Sequence, residues 1–148
     1  YWSYDARGKP ERPKPENDCR DMLLSDLNER LGRLGVDAIK EGYYAEEKRA
    51  DIRVSFGSLN VPIEIKKDSH ADLWRAMREQ LIERYTRDPG AEGFGIYLVF
   101  WFGGKDMPLP KEGRKPRAAN ELKERLLQTL DNEAQYFIKV CVVDCSLP

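Results

Sequence analysis

Two neighbouring segments of the chain, 50–56 and 61–67, alternate apolar and polar residues with a period of two. This period is typical of half-buried β-strands. One face of the two segments collects six apolar side chains: Ile52, Val54, Phe56, Val61, Ile63 and Ile65. The residues between the segments, 57–60, read Gly-Ser-Leu-Asn, which suits a turn. The pattern therefore predicts a β-hairpin whose apolar face packs on a core.

The polar face of this hairpin brings charged side chains together. A four-residue turn would place Asp51 opposite Lys66 and set Glu64 diagonal to Asp51. Opposed side chains of an antiparallel pair have Cβ atoms about 5 Å apart, and diagonal ones roughly 7–8 Å apart. A slip of one residue would turn the apolar set to the wrong face, so the pattern specifies the register. The sequence thus predicts two carboxylates that converge on one cation, with an ammonium beside it.

The rest of the chain divides into further elements by periodicity and by turn residues. A helix after the hairpin is expected to begin behind the N-cap residues Asp68 and Ser69. We expect helices over 16–34, 71–87 and 118–131, strands over 35–44, 94–102 and 136–145, a charged connection over 45–49 and a loop over 103–117.

Composition bounds the kind of protein. The 148 residues, 41% of them hydrophobic, predict one domain with a sizeable core over 16–148. Residues 1–15 are rich in Pro, Arg and Lys and have no periodicity, which indicates an extended arm or an interdomain linker. Tyr1, Trp2 and Tyr4 in this arm would stack on bases or pack on the domain itself. The chain begins at Tyr1, so we expect a piece of a longer protein with other domains.

The formal charge of −1 gives no general basic signature, so any nucleic-acid binding must use local patches. The sequence has no signal peptide and no run of eighteen apolar residues, so we expect a cytoplasmic protein without a membrane partner. The single histidine argues against His-rich metal sites and against a Ser-His-Asp triad.

Asp51, followed thirteen residues later by Glu64-Ile65-Lys66, resembles the D…(D/E)-x-K signature of the PD-(D/E)XK nuclease superfamily. The order of elements over 16–102 agrees, with a helix before the hairpin, a helix after it and then an apolar strand. Ala50 stands where the signature often has Pro. The resemblance implies an α/β fold of three layers, α/β/α, with a central mixed sheet and a restriction-endonuclease-like core. It also implies metal-dependent hydrolysis of phosphodiester bonds.

The resemblance assigns roles to the signature residues. Asp51, Glu64 and the backbone carbonyl of Ile65 would be oxygen ligands of Mg²⁺, with Mn²⁺ as a substitute. Lys66 would orient or help to deprotonate the attacking water, or stabilise charge on the phosphate. We expect a lowered pKa for Lys66, since it would be desolvated and next to the cation. The alternative is an ordinary ion pair of Asp51 with Lys66, worth roughly 0–1 kcal/mol when exposed.

Two further residues are assigned to the site by the same resemblance. Glu16 projects near the middle of the apolar stripe of the first helix, where many superfamily members have an acid facing the metal. Its alternative role is a first-turn acid that favours the helix dipole. Gln80 borders the apolar stripe of the second helix. Some branches have Gln-x-x-x-Tyr there, whereas Gln80 and Tyr85 are five apart, so Gln80 alone is assigned to the site and Tyr85, like Trp74, to the core.

Basic residues near the hairpin and in the loop 103–117 are candidates for contact with phosphates. The loop has five cations and two acids, so it is locally basic, although it is equally typical of a solvated surface loop. The candidate nucleic-acid contacts are Arg49, Lys67, Lys111, Arg114 and Lys115.

We therefore expect a Mg²⁺-dependent nuclease that cleaves DNA, with RNA as a further possible substrate. A domain of a larger bacterial defence or repair protein would fit, and cleavage of both strands of a duplex would suggest a homodimer. The first alternative is a catalytically inactive nuclease-fold module that binds nucleic acid or a protein partner. The second is an unrelated α/β interaction domain in which the hairpin is only scaffold.

Overall fold

The computed structural model describes residues 1–43, 49–111 and 113–147. Its main feature is a five-stranded mixed sheet in the order β3-β4-β5-β6-β7, and a separate hairpin is formed by β1 and β2. Strands β3, β4 and β5 are antiparallel neighbours, whereas β6 and β7 continue the sheet in parallel with β5. The strands are β1 Trp2–Tyr4, β2 Pro10–Pro13, β3 Asp37–Tyr43, β4 Arg49–Phe56, β5 Leu59–Lys67, β6 Gly95–Trp101 and β7 Ile138–Asp144.

Helices cover both faces of the sheet, which confirms the predicted three-layer α/β/α architecture. The helical elements are α1 Glu16–Leu31, a 3₁₀ turn Gly32–Leu34, a π-helix Met77–Tyr85, a second 3₁₀ turn Pro89–Ala91, α2 Ala119–Gln128 and α3 Asn132–Phe137. On one face Cys19 of α1 packs with Ile63 and Phe100. On the other, Leu81 of the π-helix and Leu122 of α2 pack with the inner strands. None of the helices in the described ranges is long and apolar enough to cross a membrane.

The hairpin of β4 and β5 has the predicted faces but a different turn. Val54 pairs with Val61 and Ile52 with Ile63, so the reversal takes only the two residues 57 and 58. The predicted four-residue turn is therefore wrong. Gly57 has a φ of 59°, a backbone conformation that allows a two-residue reversal. The register is shifted by two residues, which keeps every side chain on its predicted face.

The two-residue shift changes which charged side chains are neighbours. Extending the observed register by one pair beyond Ile52 and Ile63 sets Asp51 opposite Glu64, where the sequence had set it opposite Lys66. At the other end of the hairpin, Phe56 is 61% exposed and does not join the buried cluster.

Residues 1–15, which were expected to be an extended arm or linker, form the β1–β2 hairpin and pack on the domain. The Trp2 indole Nε1 donates a hydrogen bond to the Cys145 carbonyl at 2.7 Å. The ring of Tyr1 lies 4.7 Å from that of Phe100. The packing of these aromatic residues on the domain agrees with one of their two expected roles.

The region after the hairpin differs from the expected long helix. Residues 71–75 form turns, and the helix covers only Ala76 and the π-helical segment Met77–Tyr85, with a π-type bond from the Thr86 amide to the Leu81 carbonyl. Asp68 does not cap this helix, because its Oδ2 accepts hydrogen bonds from the Phe102 and Gly104 amides instead.

Two other expected boundaries move in the structure. The helix predicted over 118–131 ends at Gln128, and Asp131 then caps α3 by accepting a hydrogen bond from Ala134 N at 2.8 Å. The last strand consequently begins at Ile138, two residues later than predicted. The predicted connection 45–49 lies outside the described residues except for Arg49.

Candidate active site

Four of the predicted site residues meet at the end of β5. Glu64 and Lys66 lie on β5 and are buried, with 3% and 5% of their surface exposed. Asp51 comes from β4 with 24% of its side chain exposed, and Glu16 is the first residue of α1. The Lys66 ammonium donates hydrogen bonds to Glu64 Oε1 and, at 3.0 Å, to the Ile65 carbonyl. The ion pair of Lys66 is thus made with Glu64.

Asp51 and Glu16 are fixed by backbone amides of β5. Asp51 Oδ2 accepts a hydrogen bond from Ile65 N at 2.8 Å, and Glu16 Oε2 accepts one from Lys67 N at 2.9 Å. Amides two residues apart on a strand point to the same side, so the two carboxylates lie along one edge of β5. This edge begins where the regular pairing with β4 ends, at Ile63. The two carboxylates therefore accept hydrogen bonds from β5 amides that lie beyond the regular pairing with β4.

Electrostatics at the site favour a bound cation. The pKa of Glu64 is raised from 4.5 to about 7, first by burial and then by the neighbouring Asp51 carboxylate, against the opposing effect of Lys66. Burial also lowers the pKa of Lys66, but Glu64, Asp51 and Glu16 together outweigh it, so the pKa of Lys66 is raised. The expected lowering assumes a bound cation and stays a prediction for the metal-bound site.

The donor set fits a sparsely coordinated magnesium ion. Asp51, Glu64 and the Ile65 carbonyl supply the oxygen ligands that Mg²⁺ prefers, and this ion keeps several of its waters. Repulsion between Asp51 and Glu64 is one cause of the raised pKa of Glu64, and a cation would relieve it. Lys66 Nζ already contacts Glu64 and the Ile65 carbonyl, so a metal ion would compete with this ammonium. Across 1–43, 49–111 and 113–147, no three His, Cys, Asp or Glu side chains are grouped closely enough to hold a metal.

Two buried tyrosines lie within electrostatic reach of the carboxylates, and Tyr85 belongs to the hydrophobic core as the sequence predicted. Tyr85 is buried, and burial first, then Glu64 and Asp51, raises its pKa to about 12. Tyr97 is the register partner of Glu64 on β6, and burial and then Glu64 raise its pKa well above the ordinary value. Its hydroxyl donates a hydrogen bond to the Leu73 carbonyl at 2.7 Å.

Gln80 lies half-buried on the π-helix, and within the described chain no hydrogen bond joins it to the carboxylates. Because hydrogen bonds in a π-helix join residues five apart, Gln80 and Tyr85 are about one turn from each other.

Arg20 is a residue of the site that the sequence reasoning missed. It is only 6% exposed, and its Nη1 lies 3.9 Å from Asp51 Oδ1. Its Nε donates a hydrogen bond to Asp21 Oδ1 at 3.1 Å. A sequence signal was present, since Arg20 follows Glu16 by four residues and so shares its side of α1.

The five candidate phosphate contacts are not brought together. The Lys67 ammonium donates to the Lys14 carbonyl at 2.9 Å and lies 5.3 Å from the centre of the Phe102 ring. The half-buried Lys115 donates to the Lys105 carbonyl at 3.1 Å. The three candidates that remain exposed on the surface are Arg49, Lys111 and Arg114.

Comparison with known proteins gives a family without an assigned function. Residues 4–104 match a family described as Domain of unknown function (DUF8371). The match covers more than half of the chain and includes Glu16, Asp51, Glu64 and Lys66. No curated protein and no solved structure matches the chain.

Proposed function

The chain belongs to the DUF8371 family, and we propose that it is a metal-dependent nuclease domain that hydrolyses phosphodiester bonds of DNA. The observation that carries the proposal is the convergence of Glu16, Asp51 and Glu64 on the end of β5, beside the buried ammonium of Lys66. Buried charges are costly to a fold unless they are paired, and a cluster of perturbed titratable groups is typical of a catalytic centre. RNA is a further possible substrate of the same chemistry.

In this proposal Asp51, Glu64 and the Ile65 carbonyl hold Mg²⁺, with Mn²⁺ as a substitute. The ion would lower the pKa of a bound water and neutralise charge that develops on the phosphate. Asp51 is already oriented by the Ile65 amide, which supports its role as a fixed ligand. Glu16 bonds the Lys67 amide and so helps to fix the backbone from which Lys66 projects.

Lys66 acts in this proposal as a donor. In the metal-free protein burial lowers the pKa of Lys66, but the carboxylates of Glu64, Asp51 and Glu16 raise it by more, which favours the ammonium form that a hydrogen-bond donor needs. A buried ammonium stabilises negative charge on a phosphate more strongly than one in water, because the surrounding dielectric is low. In the metal-free protein Glu64 and the Ile65 carbonyl hold the ammonium. A bound metal would take over these two oxygens and leave Lys66 beside it.

The second candidate is a catalytically inactive nuclease-fold module that binds nucleic acid or a protein partner. The observation that favours it is the ion pair of Lys66 with Glu64, which occupies one carboxylate that a metal would need. The exposed cations Lys111 and Arg114 would then serve binding alone. For either candidate, a cytoplasmic setting within a larger bacterial defence or repair protein would fit, with a homodimer if both strands of a duplex are cut.

The test is cleavage of supercoiled plasmid and of single-stranded DNA in Mg²⁺ or Mn²⁺, comparing wild type, Lys66→Ala and Lys139→Ala. Lys139 is an exposed lysine on β7 and is the matched control. We expect metal-dependent cleavage by wild type and by Lys139→Ala, and a loss of at least about a hundredfold in Lys66→Ala. Equal cleavage by all three proteins would refute the assignment of Lys66.

A wild type that cleaves nothing would leave the inactive module to be tested. Mn²⁺ binding is then measured on wild type and on Asp51→Asn. Binding that is lost in Asp51→Asn supports a metal site without turnover. If neither protein binds Mn²⁺, the site is not a metal centre and the nuclease proposal is wrong.

A further inference from the structure

An open groove of about 580 Å³ lies between the segments 71–79 and 108–111. Its volume falls within the range of about 300–1,000 Å³ that is common for ligand sites. The two walls are joined at one point, where Trp74 Nε1 donates a hydrogen bond to the Pro108 carbonyl at 2.9 Å. The groove is therefore formed by the fold itself and does not need a partner to shape it.

Apolar groups line much of this groove. Leu109 is 66% exposed and stands between Pro108 and Pro110, whose rings fix the backbone on either side of it. Trp74 is half-buried and Met77 lies on the same wall. Flat or adaptable apolar surfaces of this kind hold the faces of unpaired bases.

Charges at the rim of the groove favour an anion. Arg75 is balanced, since it bonds Asp72 and lies 3.9 Å from Glu79 Oε2. Arg78 and Lys111 also line the groove, and within the described ranges neither forms an ion pair. Two such cations suit the phosphates of a nucleic-acid strand.

Asp72 links the groove to the site. It bonds Arg75, which lines the groove, and this bond, together with the charge of Lys66, lowers the pKa of Asp72. The ammonium of the site therefore lies near this end of the groove, so one strand can contact both.

We propose that this groove binds an unpaired nucleotide of the substrate, with the base against Trp74 and Leu109 and the phosphates near Arg78 and Lys111. The inference rests on the proposed nuclease function and specifies its substrate class. Bases of a duplex are paired and stacked inside the helix, so only a single strand, or a duplex with an unpaired flank, presents a base to an apolar groove. The protein is thus a nuclease for single-stranded nucleic acid or for a single-strand junction.

The test measures binding in EDTA, by anisotropy of fluorescein-labelled oligothymidine and of a blunt duplex of equal length. Wild type is compared with Arg78→Ala/Lys111→Ala and with a matched control, Arg30→Ala/Arg33→Ala. The control removes two exposed arginines at the end of α1, remote in sequence from the groove. We expect wild type to prefer oligothymidine, and the groove variant to lose roughly tenfold in affinity. Its slope of log affinity against log salt should fall by about 1.4, the value for two phosphate contacts on a single strand.

A second readout follows the base itself. A base stacked on Trp74 should quench tryptophan fluorescence, and this quenching should disappear in Trp74→Phe while Trp2 and Trp101 remain. Three results would overturn the proposal: equal affinity for the duplex, an equal loss in the control variant, or displacement of oligothymidine by polyglutamate at equal charge concentration. The last result would identify an acidic-peptide site.

Failure of this inference is distinguishable from failure of the nuclease proposal. Binding in EDTA needs no metal, so an inert catalytic centre would leave the preference for oligothymidine intact. Conversely, Lys66-dependent cleavage that is insensitive to Arg78→Ala/Lys111→Ala on every substrate would refute the groove and leave the nuclease standing.

Discussion

The carboxylate of Glu16 accepts a hydrogen bond from the backbone amide of Lys67, with 2.9 Å between Oε2 and N. The bond joins the first turn of α1 to the end of β5, across 51 residues of sequence. It also brings Glu16 close enough to contribute to the raised pKa values of Glu64 and Lys66. The position of Glu16 near the apolar stripe of α1 is thus explained by its hydrogen bond with the Lys67 amide.

Removing this carboxylate should destabilise the fold. A hydrogen bond to a charged group contributes about 1.5–3 kcal/mol, so we expect Glu16→Ala to lower the free energy of unfolding by that amount. Glu16→Gln retains an acceptor oxygen and should lower the free energy of unfolding by less. Urea unfolding measures both, with the exposed Asp18→Ala on the same helix as control. If Asp18→Ala is equally destabilising, the effect belongs to the helix dipole and not to the Lys67 bond.

Stability should depend on pH through Glu64. Its pKa is raised in the fold from 4.5 to about 7, so the folded state binds the proton more tightly than the unfolded state. The stabilising contribution is therefore complete below about pH 4.5 and disappears as the pH rises through about 7. We expect the stability of wild type relative to Glu64→Gln to fall over this window by on the order of 1–3 kcal/mol.

Urea unfolding in EDTA at several pH values from 4.5 to 8 would measure this difference. Subtracting the Glu64→Gln curve removes the contributions of Asp21 and Asp72, whose lowered pKa values act in the opposite direction. Parallel curves for the two proteins would show that Lys66 keeps Glu64 ionised throughout the range.

Arg20 and Asp51 should be energetically coupled. The Arg20 guanidinium is buried and lies 3.9 Å from the Asp51 carboxylate. Removing either charge therefore leaves the other without the opposite charge that offsets its desolvation. In a double-mutant cycle of Arg20→Ala and Asp51→Asn we expect a coupling of about 0.5–3 kcal/mol in the free energy of unfolding. A cycle with Arg75→Ala and Glu79→Gln, an exposed pair at the same 3.9 Å, should give a smaller coupling and is the control. Strictly additive effects for Arg20 and Asp51 would contradict the contact.

The local pattern of residues predicted the strands and their faces but not the register. Alternation of apolar residues over 50–56 and 61–67 is a local signal, and a shift of two residues leaves it unchanged. The register depended on Gly57, whose positive φ shortens the turn and is not readable from the residue type alone. The two-residue shift in register decides whether Glu64 or Lys66 stands opposite Asp51.

The meeting of side chains from distant parts of the chain at the candidate site was harder to predict than the helices and strands. Glu16 was found because a helical stripe marks it and the superfamily resemblance gives such an acid a place. Arg20 is indicated by its spacing of four residues from Glu16, but the approach of Tyr85 to the carboxylates depends on how the π-helix packs on the sheet, which no local pattern contains. Asp68 was misread for the same reason, since its partners Phe102 and Gly104 follow it by more than thirty residues.

Asp68 should control the order of the segment that follows β6. Its buried Oδ2 accepts hydrogen bonds from Phe102 N at 2.8 Å and from Gly104 N at 2.9 Å. Gly104 packs so closely on the ring of Trp101 that a Cβ there would lie 2.6 Å from a ring atom, so only glycine fits at this position of the turn. Asp68→Ala leaves two amides without their acceptor, and we expect a loss of about 2–4 kcal/mol in the free energy of unfolding.

Hydrogen exchange distinguishes this local role from a general loss of stability. In Asp68→Ala the amides of Phe102 and Gly104 should exchange faster than the global change in stability accounts for, while those of the central strand β6 should follow the global value. Asp68→Asn keeps one acceptor oxygen and should protect the two amides to an intermediate degree. Uniformly faster exchange throughout the sheet in Asp68→Ala would contradict a local role, because it would show that Asp68 supports the core as a whole.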